Sequence, residues 1–127
     1  MDMPLTANTR TEVLVIGAGM AGIAAAGRLQ NSGKAVIVLE KGRGVGGRMA
    51  TRRIGDCTFD HGAQFVTARS AHFLETIQVL EKAGVAKSWG KEFSTKQDGH
   101  TRWRGKPSMN AIPKFLSKNY PFTWRQR

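Results

Sequence analysis

The sequence has little with which to cross-link, to span a membrane or to bind a metal. Its 127 residues include one cysteine, Cys57, so no disulfide can close within the chain, and a reducing, cytoplasmic setting suits it. A lone cysteine reads most simply as a small apolar side chain. No apolar run approaches the ~20 residues of a membrane span. Met1 to Arg10 is polar, without the apolar core of a signal peptide, and is expected to be a flexible N-terminus. The three histidines, His61, His72 and His100, have no metal-ligand spacing among themselves, and no Ser-His-Asp arrangement is evident. Neither a metal site nor a hydrolytic triad is expected, and there is no internal repeat.

Acidic residues are also scarce. Nine Asp+Glu stand against 20 Lys+Arg, a formal net charge of +11. Such an excess suits nucleic acid or another anionic partner, and Trp89, Trp103 and Trp124 could serve as stacking platforms. The cations are dispersed, however. Their densest cluster (Arg43, Arg48, Arg52 and Arg53) falls in and after a glycine-rich loop whose pattern has another explanation. No nucleic-acid partner and no membrane are expected.

What the sequence does have is glycine at chosen places. Val13 to Ile16 is an uninterrupted apolar run, as in a strand buried on both faces. Gly17-Ala18-Gly19-Met20-Ala21-Gly22 follows, and an alanine-rich helical stretch follows that. In such a strand–turn–helix, Gly17 makes the tight turn, Gly19 lets backbone approach a pyrophosphate, and Gly22 lets helix and strand pack closely. The helix N-terminus adds free N–H groups and a positive dipole end. A second apolar run, Val36 to Leu39, ends at Glu40, whose carboxylate can accept from ribose hydroxyls. A βαβ unit whose glycines serve packing alone leaves Gly19 unexplained. The pattern points to a dinucleotide site.

A second glycine turn follows the acid, Lys41-Gly42-Arg43-Gly44-Val45-Gly46-Gly47-Arg48. Paired glycines and an arginine can bring further N–H donors and a fixed cation to the same pyrophosphate. Glu40 with Gly46-Gly47-Arg48 resembles the FAD-binding signature of the amine-oxidase and phytoene-desaturase flavoproteins. Arg48-Met49-Ala50-Thr51-Arg52-Arg53 and Phe59-Asp60-His61-Gly62-Ala63-Gln64-Phe65 resemble the bacterial renalase-like branch. The resemblance runs from about Val13 to about Leu116.

That resemblance implies an α/β fold: a Rossmann-like βαβ FAD-binding unit with an incomplete parallel sheet, joined to a small α+β portion of a substrate domain. FAD would lie with its adenosine at Glu40 and Lys41. Its pyrophosphate would lie at Gly17–Gly22 and at Gly46, Gly47, Arg48 and Met49, and Gly62, Ala63, Gln64 and Phe65 would pass near the isoalloxazine. The implied reaction is hydride transfer to flavin from a carbon next to nitrogen, in a dihydronicotinamide dinucleotide or an amine, with O2 as acceptor. The cofactor carries that chemistry, and the protein positions it.

The remaining segments are expected as follows. The FAD unit occupies residues 11–68, the start of the substrate domain 69–107, and a return helix and ending 108–127. Met20 to Asn31 is the first helix, stopped at Gly33, and Ala35 to Glu40 the second strand. Ser70 caps a helix running to Ala83, with Phe73, Ile77 and Leu80 inward and Gly84 ending it. Lys91–Thr95 and His100–Arg104 pair as a hairpin, and Asn110 caps a last helix with Pro113 in its first turn. Members of the resembling family are longer. They place an adenine-flanking strand near Tyr120, which the ending Pro121-Phe122-Thr123-Trp124-Arg125-Gln126-Arg127 does not resemble. The chain therefore reads as an N-terminal portion, inactive by itself. The alternative is a non-catalytic dinucleotide-binding module or an inactive product.

Overall fold

The computed structural model describes residues 9–90, 99–119 and 123–126. In chain order the elements are β1 (Val13–Ile16), α1 (Met20–Asn31), β2 (Val36–Glu40), a 3-10 turn (Gly47–Met49), β3 (Thr51–Ile54), β4 (Cys57–Asp60), β5 (Val66–Thr67), α2 (Ala71–Lys82), β6 (Ala86–Gly90), β7 (Arg102–Gly105), α3 (Ala111–Asn119) and β8 (Thr123–Gln126). They fall into two compact units, one formed by residues 1–48 and 113–127, the other by residues 49–112.

The first unit is a three-stranded parallel sheet in the order β1-β2-β8. Val36, Ile37 and Val38 of the central strand are buried, as are Ile23 and Ala26 of α1. Small residues and straight chains give α1 its propensity. It stops where Gly33, at φ 83°, donates to the Gln30 carbonyl while Lys34 donates to that of Leu29, the paired bonds of a Schellman ending.

Two expectations are corrected here. The apolar run of β1 is not buried on both faces: Leu14 is 50% and Ile16 82% exposed. Leu14 and Ile16 share one face of the strand, alternating with the half-buried Val13 and Val15, and among the described residues β1 pairs only with β2, at the edge of the sheet. The ending does form a strand. Thr123–Gln126 runs parallel to β2, with Ile37 opposite Thr123 and Glu40 opposite Gln126. Main-chain pairing to an open strand edge needs only extended backbone, and Thr and Trp are good strand formers.

Exposed apolar side chains on an edge strand favour association. Replacing Leu14 and Ile16 together by threonine keeps strand propensity and removes apolar surface. It is expected to lower self-association in sedimentation equilibrium. Equal association by wild type and variant would place the adhesive surface elsewhere.

The second unit holds a β3–β4 hairpin and a sheet in the order β5-β7-β6. Gly55, at φ 57°, supplies the left-handed residue of the two-residue turn between Ile54 and Cys57. The α2 boundaries follow the sequence reading. Ser70 Oγ accepts from the Phe73 N–H at 3.2 Å, and Gly84, at φ 74°, ends the helix with a second Schellman pair. Ile77 and Leu80 are fully buried. Of the expected hairpin, residues 91–98 lie outside the described residues. Its other half is found as β7, paired antiparallel with both β6 and β5. Pro113 falls in the first turn of α3, as expected.

Candidate functional site

The parallel register sets Ile16 opposite Leu39, so β1 and β2 end level with one another. Ligands of open α/β sheets bind at these carboxyl ends. Gly17 leaves β1 at φ 99°, with its N–H donating to the Leu39 carbonyl at 2.7 Å. The chain then turns into α1 at Gly19, whose extended backbone occupies the cap position without a side-chain cap. No acidic residue stands in the first turn. The N–H groups of Met20, Ala21 and Gly22 thus lack intrahelical acceptors and face outward along the helix axis.

The three glycines of this turn have different physical reasons. A Cβ on Gly22 would lie 1.9 Å from the Gly17 carbonyl oxygen, so Gly22 is there for helix–strand packing. A Cβ on Gly19 would meet nothing within 4 Å. Packing does not require glycine at position 19.

The second glycine turn lies against the first. The Gly46 N–H donates to the Ala18 carbonyl at 2.8 Å, and Gly19 and Gly46 form a parallel bridge. Gly46 and Gly47 adopt φ of 120° and 53°, and a Cβ on Gly47 would come within 3.3 Å of Gly19 Cα. Side chains here would be strained and would separate the loops. Arg48 follows in the 3-10 turn, exposed, as are Lys41 and Arg43. Among the described residues the only ion pair is Lys34–Glu12 at 3.0 Å. Arg48 therefore keeps its charge available for an anion. Met49 is buried.

Glu40, at the end of the central strand, is half-buried. Its Oε2 accepts from the Ala18 N–H at 2.6 Å and its Oε1 from the Gly42 N–H at 2.7 Å. The Gly42 N–H holds the carboxyl below its ordinary pKa. Burial opposes this, and the N–H groups of Ala18 and Lys41 and the Lys41 charge add to it.

Gly17, Ala18, Gly19, Met20, Ala21, Gly22, Glu40, Lys41, Gly46, Gly47 and Arg48 all belong to the first unit, whereas Gly62, Ala63, Gln64 and Phe65 belong to the second. Together with His61, these four residues form the loop between β4 and β5. The Gln64 amide turns back to donate to the carbonyls of Asp60 and Gly62. Phe65 lies under the guanidinium of Arg102, 5.6 Å from the ring centroid, and buried Arg102 donates to the His100 carbonyl at 2.6 Å.

Sequence reasoning assigned no role to Asp60 or Thr51, yet they organise this unit. Both Asp60 oxygens accept from the Met109 N–H at 3.1 Å, and Oδ1 also accepts from the Thr51 hydroxyl at 2.6 Å. Thr51 Oγ1 in turn accepts from the Asn110 N–H at 3.3 Å. The available signal was an acid at a strand end with a β-branched hydroxyl opposite it in a short hairpin. Among the described residues no group of His, Cys, Asp and Glu could hold a metal ion, and no helix is long and apolar enough to cross a membrane.

Known proteins are similar to parts of this chain. Residues 15–83, more than half of the chain, match the NAD(P)-binding Rossmann-like domain. A possible lysine-specific histone demethylase 1 of Drosophila melanogaster is 47% identical over 64 residues, covering 50% of this chain and 7% of that protein. A 4,4'-diapophytoene desaturase of Staphylococcus aureus is 44% identical over 55 residues, covering 43% of this chain and 11% of that protein. A putrescine oxidase solved with putrescine bound superposes with a TM-score of 0.51 and 30% identity, covering 75% of this chain and 22% of the oxidase. The chain thus spans less than a quarter of the length of each. The doubled glycine turn, the acid between its halves and the extent of the match lead to one assignment: the chain belongs to the NAD(P)-binding Rossmann-like domain family, within the superfamily of FAD- and NAD(P)-binding amine oxidases and desaturases.

Proposed function

We propose that this chain is the dinucleotide-binding portion of an FAD-dependent oxidoreductase of the renalase-like branch. The observation that carries the reading is the pair of glycine turns bonded side by side at the carboxyl end of the parallel sheet, with space beside Gly19 and a free cation at Arg48. The N–H groups of Met20, Ala21 and Gly22 and the guanidinium of Arg48 would hold the pyrophosphate. Glu40 and Lys41 would meet the adenosine ribose, and the loop Gly62–Phe65 would meet the isoalloxazine. When bound, FAD supplies a hydride acceptor for a carbon next to nitrogen, with O2 as the final oxidant. The substrate class is a dihydronicotinamide dinucleotide or an amine. The first follows from the renalase-like segments Arg48–Arg53 and Phe59–Phe65, and the second from likeness to a putrescine oxidase. A cytoplasmic location accords with the lone cysteine.

The test is competitive calorimetry with FAD and NAD. FAD is expected to bind more tightly, because a nicotinamide-binding turn alone has no use for Gly46, Gly47 and Arg48. Tighter binding of NAD would overturn the reading. By itself the 127-residue chain is expected to release no peroxide from either substrate class, since it spans less than a quarter of the length of each relative. Turnover of a dihydronicotinamide or an amine by this chain would refute that division of labour.

A further inference from the structure

We propose that Glu40 is a positioning residue that ties the turn at Ala18 to the loop at Gly42 before any dinucleotide arrives. The proposal rests on the dinucleotide reading above but concerns the free protein. Its carboxylate splits its two oxygens between two backbone donors, one on each loop, at 2.6 and 2.7 Å. Ala18 is fully buried, so its N–H has no access to water and needs an acceptor within the protein. The Ala18 carbonyl already accepts from the Gly46 N–H. Ala18 is therefore held on both sides, by a backbone donor of the second loop and by the side chain of Glu40. Position 42 is also fitted to the carboxylate, since a Cβ there would come within 3.2 Å of Glu40 Oε1. Only a group with two acceptor oxygens can serve both donors. A glutamine would satisfy one and turn its own NH2 toward the other. The strap fixes both glycine loops in a binding-ready form, so less ordering remains when a dinucleotide binds.

The test uses the 127-residue chain without ligand. In Glu40→Gln, amide exchange at whichever of Ala18 and Gly42 loses its acceptor is expected to quicken about tenfold or more, while exchange at Val38 in the same sheet stays unchanged. Should this variant fail to fold, the wild-type chain carries the test alone. On acidification, the Ala18 and Gly42 amide resonances should move together with one midpoint, below the ordinary glutamate range. Lys41 is the charged side chain beside this carboxylate, and Lys41→Met should leave the shared midpoint shared. Unchanged exchange in the variant, or two amides that stay still or titrate separately, would overturn the proposal. A chain with these signatures that binds no FAD would sink the FAD reading and leave the strap standing. One that binds FAD without them would do the reverse.

Discussion

Gly22→Ala is expected to lower the melting temperature by roughly 5–20 °C and to abolish measurable FAD binding. The added Cβ would lie 1.9 Å from the Gly17 carbonyl oxygen, 3.1 Å from its carbon and 3.4 Å from Val15 Cγ1. The first two atoms are backbone and cannot swing aside. Gly17 is fixed by its bond to the Leu39 carbonyl and already sits at φ 99°. Relief therefore requires α1 to lift from β1, which uncovers Ile23 and Ala26 and disperses the N–H groups of the helix start. Overpacking costs about 1–3 kcal/mol and more where backbone must move. Each kcal/mol is worth roughly 4–8 °C in a domain of this size. Gly19→Ala is the matched control. Its Cβ meets nothing, so its melting temperature should stay near wild type while FAD affinity falls, because the methyl occupies the ligand's space. Thermal melts and calorimetry on the two variants check this. A Gly22→Ala protein that melts like wild type, or a Gly19→Ala protein that loses as much stability, would contradict the roles given to these glycines.

Glu40→Gln is expected to weaken FAD binding about tenfold or more. Hydrogen bonds to a charged group contribute about 1.5–3 kcal/mol, and the substitution removes the charge proposed to meet the ribose as well as one of the two loop bonds. An affinity equal to wild type in calorimetry would place Glu40 away from the nucleotide. The same carboxylate sets a pH dependence. Its pKa is lowered in the folded chain, so the charged form is the one the fold favours. Its contribution is fully present above the ordinary glutamate value and is lost as pH falls through the lowered one. Glu12, bonded to the Ala35 N–H and paired with Lys34, is shifted in the same direction. FAD affinity and stability should both decline on acidification through this range, and the Glu40→Gln protein should show a flatter profile. A wild-type affinity that rises as the pH drops there would contradict this assignment.

The two glycine turns, α1 and α2 were readable from the residues because their signals are local. Gly33 and Gly84 stop helices through bonds made within six residues, and Ser70 caps through a bond three residues away. The paired loops were readable because each glycine pattern lies within a short stretch of sequence. What escaped the sequence depends on partners far along the chain. The exposure of Leu14 and Ile16 depends on what packs against one face of β1, and an apolar run reads the same whether one face or both are covered. Strand β8 forms because β2 offers it an open edge, and nothing local in Thr123–Gln126 announces that. The Asp60–Met109 bond spans 49 residues, and no spacing rule connects the two. The hairpin at Gly55 had a visible turn signal, but Thr51–Ile54 carries two arginines and lacks clear alternation. The Glu40 bond to Ala18 spans 22 residues, and no spacing rule marks that donor.

The central claim is that the two glycine turns form one cradle for one dinucleotide. Amide chemical shifts of the chain during an FAD titration test it most directly. Gly17 to Gly22 and Gly46 to Arg48 are expected to shift together along a single saturation curve, as one pyrophosphate meeting both turns requires. Saturation of the first turn with Gly46, Gly47 and Arg48 unmoved, or two separate curves, would contradict it.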